Sequence, residues 1–202
     1  MDNHYVDYFL NLNCSADVLG VLNPIKNISK EITETMGIIK HLKSITIKEP
    51  LKYTIYDICA GNALTSVTSA HLLPIKHSYA IDKRPRTRKW WKIKKFNYLT
   101  KDIYSDKIEF VEDSIIVGLH PCADLSYKII DLYNSNPNVK YLFLMPCCIG
   151  TFTKSLPEFF RKHLGQYRIW SYALSEKVTG KVKLLEDKFI VSPCNCIIIG
   201  EK

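Results

Sequence analysis

A chain of 202 residues, 47% of them hydrophobic, can bury one sizeable core, so a single domain is expected. No apolar run approaches the roughly 20 residues that cross a bilayer, and the start, MDNHYVDYFLNLNC, carries acids where a secretory signal carries lysines. A membrane-spanning or exported chain is therefore not expected, and a cytoplasmic one is. Seven cysteines, an odd number, fit reduced thiols better than a disulfide framework.

The elements follow in chain order. Residues 1–25 hold a short apolar segment, VDYFLNL, that stops by Pro24. From Asn27 to about Ser44 apolar residues recur at Ile28, Ile32, Met36, Ile39 and Leu42, a helical stripe with Asn27 or Ser29 as its cap. Residues 1–49 thus read as a helical lead-in to a core spanning 50–202. Tyr53 to Ile58 reads as a strand, Leu64 to Leu72 as a helix and Ser78 to Ile81 as a second strand.

The formal charge of +8 is concentrated in residues 83–95, KRPRTRKWWKIKK, which hold eight of the 28 basic residues and no acid. The 20 basic residues left elsewhere balance the 20 acids, so the whole excess lies in this segment, on which a helix is expected. Lys83, Arg84, Arg86, Arg88, Lys89, Lys92, Lys94 and Lys95 around Trp90 and Trp91 suit a surface that neutralises phosphates and stacks on bases, pointing to RNA as a partner. The alternative is a solvated helix face with its tryptophans turned inward. Oligomeric state is not legible.

Phe96 to Ile103 reads as a strand, Ser114 to Leu119 as a buried strand, Ala123 to Tyr133 as a helix and Val139 to Met145 as another buried strand. A helix is expected around Ser155 to His163, and Tyr167–Tyr172 with Cys194–Ile199 as a final pair of strands. Strands alternating with helices, the central ones apolar on both faces, predict an α/β fold: a parallel sheet covered by helices on both sides. In such a sheet ligands bind beyond the carboxyl ends of the strands.

The turn after the first strand reads YDICAGNALTS. A dinucleotide site needs G-x-G-x-x-G so that a pyrophosphate can approach the backbone, and only Gly61 is present. No G-K-[ST] follows, so a phosphate loop is excluded too. What remains is a nucleoside ligand without phosphates, for which one close backbone approach and an acid suffice; S-adenosylmethionine is of that kind.

DICAGNALTS resembles motif I of the class I S-adenosylmethionine-dependent methyltransferases, with Asp57 as the acid before the turn and Cys59, Gly61 and Ala63 in the small-residue positions. AIDKRP resembles the second motif. The resemblance implies a Rossmann-like three-layer α/β/α sandwich with a mostly parallel seven-stranded sheet and an antiparallel last strand. It also implies a cofactor site of Asp57, Cys59, Ala60, Gly61, Ala63, Asp82 with Lys83, Asp102 and His120. Asp82 would accept from both ribose hydroxyls, and Asp102, in LTKDIY, would face the adenine.

GLHPCADLS followed by MPCC resembles the H-x-C-x-D-L-S and P-C-C blocks of the methyltransferase family that includes the eukaryotic tRNA 2′-O-methyltransferase. The likeness spans about residues 50 to 150 and implies methylation of a tRNA-like RNA, a ribose hydroxyl being favoured. That enzyme's N-terminal zinc modules have no counterpart here. LHPC stands where enzymes acting on base amines carry [DN]-P-P-[YF], which argues against such acceptors.

The catalytic candidates are His120, Cys122, Cys147 and Cys148. Methyl transfer needs alignment above all, while an alcohol acceptor gains from a nearby base, and His120 is the candidate. On the family's strand order, Cys59, Cys122, Cys147 and Cys148 lie at or just past neighbouring strand ends, with Cys194 and Cys196 near the same edge. Three readings stand: small residues packed under a cofactor, nucleophiles of an RNA cytosine-C5 methyltransferase, or a metal site. No C-x2-C pair occurs, so no metal is expected. A catalytically inactive RNA-binding module of the same fold is the remaining alternative.

Overall fold

The structure is a computed structural model, described here for residues 3–149 and 157–202. Three helices, α1 (His4–Leu10), α2 (Ser15–Leu22) and α3 (Ile28–Thr46), precede an alternating series. That series is β1 (Thr54–Ile58), α4 (Leu64–Leu72), β2 (His77–Asp82), β3 (Phe96–Thr100), β4 (Ser114–Leu119), α5 (Asp124–Ser135) and β5 (Val139–Met145). The chain ends with α6 (Glu158–Leu164), α7 (Gln166–Ser175), β6 (Lys181–Glu186) and β7 (Cys196–Glu201). The seven strands form one sheet in the order β3-β2-β1-β4-β5-β7-β6. Pairing is parallel from β3 through β5, and β7 runs antiparallel to both its neighbours.

Strand periodicity explains the layers. Along SIIVGL of β4, Ile115 and Val117 enter the core beneath α1 to α4, while Ile116 enters the opposite core with Ile129 of α5 and Trp170 of α7. Phe143 and Met145 of β5 join the first core, and Leu142 and Leu144 the second. Successive side chains point to opposite faces, so a strand covered on both sides must be apolar throughout. Each such side chain contributes about 1.5–3 kcal/mol on burial. Because the chain leaves β1 outward to β2 and returns to β4 on its other side, the strand order reverses between β1 and β4. The crevice at their carboxyl ends is the usual ligand position in an open sheet.

Two expectations need correction. Tyr167–Tyr172 is not a strand but part of helix α7: Trp170 and Leu174, four residues apart, are buried on one face, so the helical period governs this aromatic-rich stretch. The strand beside β7 is instead β6, an edge strand with mostly exposed residues. The basic segment forms no helix beyond one 3-10 turn at Trp90–Lys92; Pro85 and crowded like charges, without acids to pair at i+4, disfavour one. Of the helix expected around Ser155 to His163, residues 155 and 156 lie outside the described residues. No helix among the described residues is long and apolar enough to cross a membrane.

Candidate active site

The turn between β1 and α4 is built on left-handed backbone. Cys59 (φ 63°), Gly61 (φ 54°) and Ala63 (φ 64°) all occupy that region, which costs a non-glycine residue about 1–2 kcal/mol. Glycine is at 61 for its conformation rather than for space, since a Cβ there would meet only the Arg84 guanidinium, at 3.7 Å. Hydrogen bonds hold the turn: Ala60 N–H donates to Ile81 O at 3.0 Å, Ala63 N–H to Ala60 O at 2.7 Å, and Gly61 N–H to Asp82 Oδ2 at 2.9 Å. Ala63 is fully buried and is not among the residues that wall the two cavities described below.

Asp57, buried at the end of β1, accepts from Ser66 N–H at 3.2 Å and Ser66 Oγ at 3.0 Å, anchoring the first turn of α4. Burial pushes its carboxyl up to about 7; the Ser66 bonds oppose this and the Asp82 charge adds to it. A raised carboxyl favours the folded state while protonated, so this group's contribution is present below about pH 4 and is lost as the pH rises to about 7. The loss amounts to about 4 kcal/mol. Asp57→Asn should remove that slope, gaining on the wild-type chain between pH 5 and 8 in urea unfolding. A difference that does not change with pH would rule out a buried proton here.

Asp82 ends β2 and is also buried. Besides Gly61 it accepts from Arg84 N–H (2.9 Å), Nε (3.1 Å) and Nη2 (3.3 Å). Burial alone would raise its carboxyl, but Arg84 and the two amides outweigh it and hold the group below the ordinary range. Two cavities meet here. One, of about 300 Å³, is walled by Asp57, Ala60, Gly61, Glu31, Glu34 and Arg86. The other, of about 280 Å³, is walled by Asp82, Lys83, Asp102, Ile103, Tyr104 and Leu125. Cys59, Arg84 and His120 belong to both. The Asp102 carboxylate also accepts from Tyr104 N–H at 3.0 Å, closing its own loop. Burial, then the Asp82 and Asp57 charges, push Cys59 up to about 12, so it is a neutral, compact floor to the site.

His120, just past β4, has φ 52°, its N–H donating to Met145 O at 2.8 Å. Its Nε2 lies 2.6 Å from Glu34 Oε1, in contact but off the line of a good hydrogen bond, and Lys30 Nζ reaches the same oxygen at 2.9 Å. Burial works to raise the Glu34 carboxyl; His120 and Lys30 prevail and hold it low. Glu31, one turn earlier on α3, accepts from Asn62 Nδ2 at 2.8 Å, and Thr35 Oγ1 lies 3.0 Å from Thr65 Oγ1. The lead-in helix thus supplies a wall of the site that sequence reasoning missed. The available signal was an acid, Glu34, inside the run ITETM of a buried helical stripe.

The loops after β4 and β5 bring three thiols together. Cys122 Sγ lies 3.9 Å from Cys147 Sγ and 3.5 Å from Cys148 Sγ, and Cys147 and Cys148 are 3.5 Å apart. Cys147 Sγ donates to His120 O at 3.3 Å, and Cys194 Sγ to Cys147 O at 3.3 Å. Burial first, then the neighbouring thiols, raise Cys147, and burial likewise raises Cys122. Activated nucleophilic cysteines are shifted the other way.

The basic segment divides. Arg84 sits on Asp82, Arg86 lines the first cavity, and Arg88 Nη2 donates to Asn62 Oδ1 at 3.1 Å; all three thus reach residues of the cavity walls, the Arg84 side chain being at the same time 62% exposed. Trp90 is not free to stack on a base: its ring lies on Tyr98, centroids 5.1 Å apart and planes at 3°, and its Nε1 donates to Arg86 O at 2.9 Å. Trp91 is 79% exposed among the exposed Lys83, Lys89, Lys92, Lys94 and Lys95.

A mostly parallel seven-stranded sheet with a reversed β7 and acids at the ends of β1 and β2 is the arrangement of a class I methyltransferase. A family model described as a methyltransferase domain matches residues 28–155, well over half of the chain, and the chain belongs to that family. It is an S-adenosylmethionine-dependent methyltransferase. No curated protein sequence matches the chain. Among solved structures, the methyltransferase domain of bacterial CtHen1 is 10% identical, with 86% of this chain and 100% of that one covered and a TM-score of 0.54. A TehB-like S-adenosylmethionine-dependent methyltransferase from Corynebacterium glutamicum is 10% identical over 84% of this chain and 88% of its own, with a TM-score of 0.46. TrmK of M. capricolum, in complex with S-adenosylhomocysteine, is 10% identical over 78% and 65%, with a TM-score of 0.41. At such identities the likeness concerns the fold.

The site's chemistry fits the cofactor. The acids Asp82 and Asp102 beside a single-glycine turn disfavour a diphosphate, while a carboxylate such as that of Asp82 suits the diol of a ribose. Lys30 and Arg86 match the carboxylate of an amino acid, and Glu31 its ammonium. Both Asp82 oxygens are occupied by the Arg84 guanidinium in this structure.

Proposed function

We propose that this enzyme methylates RNA at a ribose hydroxyl. The observation that carries the reading is the course of residues 83–95: they begin inside the cofactor site at Arg84, Arg86 and Arg88 and emerge as exposed lysines around Trp91. An anion-binding surface is thereby continuous with the methyl donor's pocket. The order of LHPC and MPCC, which resembles that of the eukaryotic tRNA 2′-O-methyltransferase family, supports a tRNA-like substrate.

The bound cofactor supplies an electrophilic methyl group. His120 lines both cavities; with Nε2 against Glu34, Nδ1 is the nitrogen left to take the proton from the acceptor hydroxyl, and the Glu34 carboxylate stabilises the imidazolium that forms. Glu34 and Met145 O hold the ring and backbone of His120 in place. Cytosine-C5 chemistry would instead use one of the clustered thiols, Cys122, Cys147 or Cys148, as nucleophile.

Incubation with tritiated S-adenosylmethionine and total RNA, followed by digestion to nucleosides, should place the label on 2′-O-methylated residues. Label on a base, or none in RNA, overturns the reading. Exchanging Lys89, Lys92 and Lys94 for glutamate should weaken RNA binding and reduce the magnitude of its salt slope by about 2. Trp91→Ala should cost about 1–3 kcal/mol if the ring stacks on a base, whereas Trp90→Ala should act mainly through stability. Unchanged affinity in filter binding across a salt series would reduce the patch to a solvated face.

A further inference from the structure

The three-thiol cluster is not explained by methyl transfer or by apolar packing. Cys122 and Cys148 are exposed and Cys147 is half-buried, so little is gained by hiding them from water. The three sulfurs nevertheless form a compact triangle with edges of 3.5, 3.5 and 3.9 Å. One face of a tetrahedron with metal–sulfur bonds of about 2.3 Å has edges of about 3.8 Å. Together with the close fit of ligand atoms within 4.8 Å of one another, this geometry is that of three legs of a tetrahedral thiolate site.

We propose that Cys122, Cys147 and Cys148 bind one zinc ion through three thiolates, with solvent as the fourth ligand. Cys194 is not the fourth leg, because its Sγ is turned to Cys147 O. Three S–H bonds break and three S–Zn bonds form, so three protons pass to the buffer for each ion bound, and no electron is transferred. The ion ties the loop after β4 to the loop after β5. Those loops hold His120 between them, since its N–H donates to Met145 O at the end of β5; the Cys147 S–H bond to His120 O is given up when that thiolate binds the ion. Its role is therefore to fix the rim of the site, and soft thiolate donors select zinc over the hard cations magnesium and calcium. The low weight that sequence reasoning gave to a metal came from spacing: the ligands lie on two loops and form no C-x2-C pair, and the β4–β5 pairing brings those loops side by side.

The test uses the full chain, stripped of metal with a chelator and kept reduced, its fold checked by circular dichroism. Titration with cobalt(II) should give one equivalent per chain, with a thiolate-to-cobalt charge-transfer band and the intense visible bands of tetrahedral cobalt. Zinc should then displace cobalt and abolish both. In weakly buffered solution, zinc binding to the stripped chain should release three protons per ion. Cys122→Ser and Cys148→Ser, both at exposed positions, should each weaken zinc binding on the order of 100-fold in competition with a chromophoric chelator. Cys14→Ser, in the turn between α1 and α2, should leave it unchanged. A folded wild-type chain without the charge-transfer band, or zinc affinity unaltered by the Cys122→Ser and Cys148→Ser pair, overturns the proposal.

Discussion

Asp82→Asn is expected to bind S-adenosylmethionine about 100-fold more weakly than the wild-type chain in isothermal calorimetry. A hydrogen bond to an ionised acceptor is worth about 1.5–3 kcal/mol, and on the proposed binding mode two from the ribose hydroxyls would converge on this carboxylate. Loss of both charge-assisted bonds, partly offset because an amide oxygen still accepts, leaves about 2–3 kcal/mol, or roughly two decades in affinity. Asp82 also accepts from Gly61 N–H, so thermal unfolding must show the variant folded. Arg84→Met gives the contrasting arm. In the free chain the guanidinium occupies the oxygens that the ribose needs, so its removal should tighten binding or leave it unchanged. Equal weakening by both substitutions would mean that the ion pair builds the site rather than competes for it.

His120→Ala should lower kcat by about 10²–10⁴-fold, the usual worth of a positioned base, with little change in cofactor affinity or in KM for RNA. Glu34→Gln keeps the shape of the wall but removes the charge facing Nε2; it should reduce kcat by about 10-fold at unchanged KM. If His120→Ala retains full turnover, the acceptor needs no base and the ribose assignment fails.

Much of the fold could be read from the chain because the central strands need apolar residues on both faces. SIIVGL and VKYLFLM are continuous runs of that kind, and β4 and β5 have the predicted boundaries. The edge was less legible. In KVKLLE of β6, Lys181 and Lys183 interrupt a short apolar alternation, and nothing local distinguishes it from a loop. YRIWSY is rich in strand-favouring aromatics, and only its position over the sheet shows that Trp170 and Leu174 must share a helical face. Propensity is a weak prior that tertiary packing overrides.

At the site, the acids at the ends of β1 and β2 were visible because motif and strand end coincide. Glu31 and Glu34 were not, since their meaning depends on α3 crossing the strand ends that carry Asn62 and His120. The thiol triangle was hidden for the same reason: its members are local neighbours only after β4 and β5 pair. Within the basic segment, charge was legible but direction was not, so Arg84, Arg86 and Arg88 could not be separated from the lysines that face outward.

The contact between α3 and the strand ends has a consequence for biosynthesis. The wall bearing Glu34 leaves the ribosome well before the imidazole that it faces, and during that interval its only charged partner among those described is Lys30, one turn earlier on the same helix. The pocket therefore closes late, when β4 docks, and a nascent chain halted after β3 would already own the first half of the nucleoside site while lacking the means to use it.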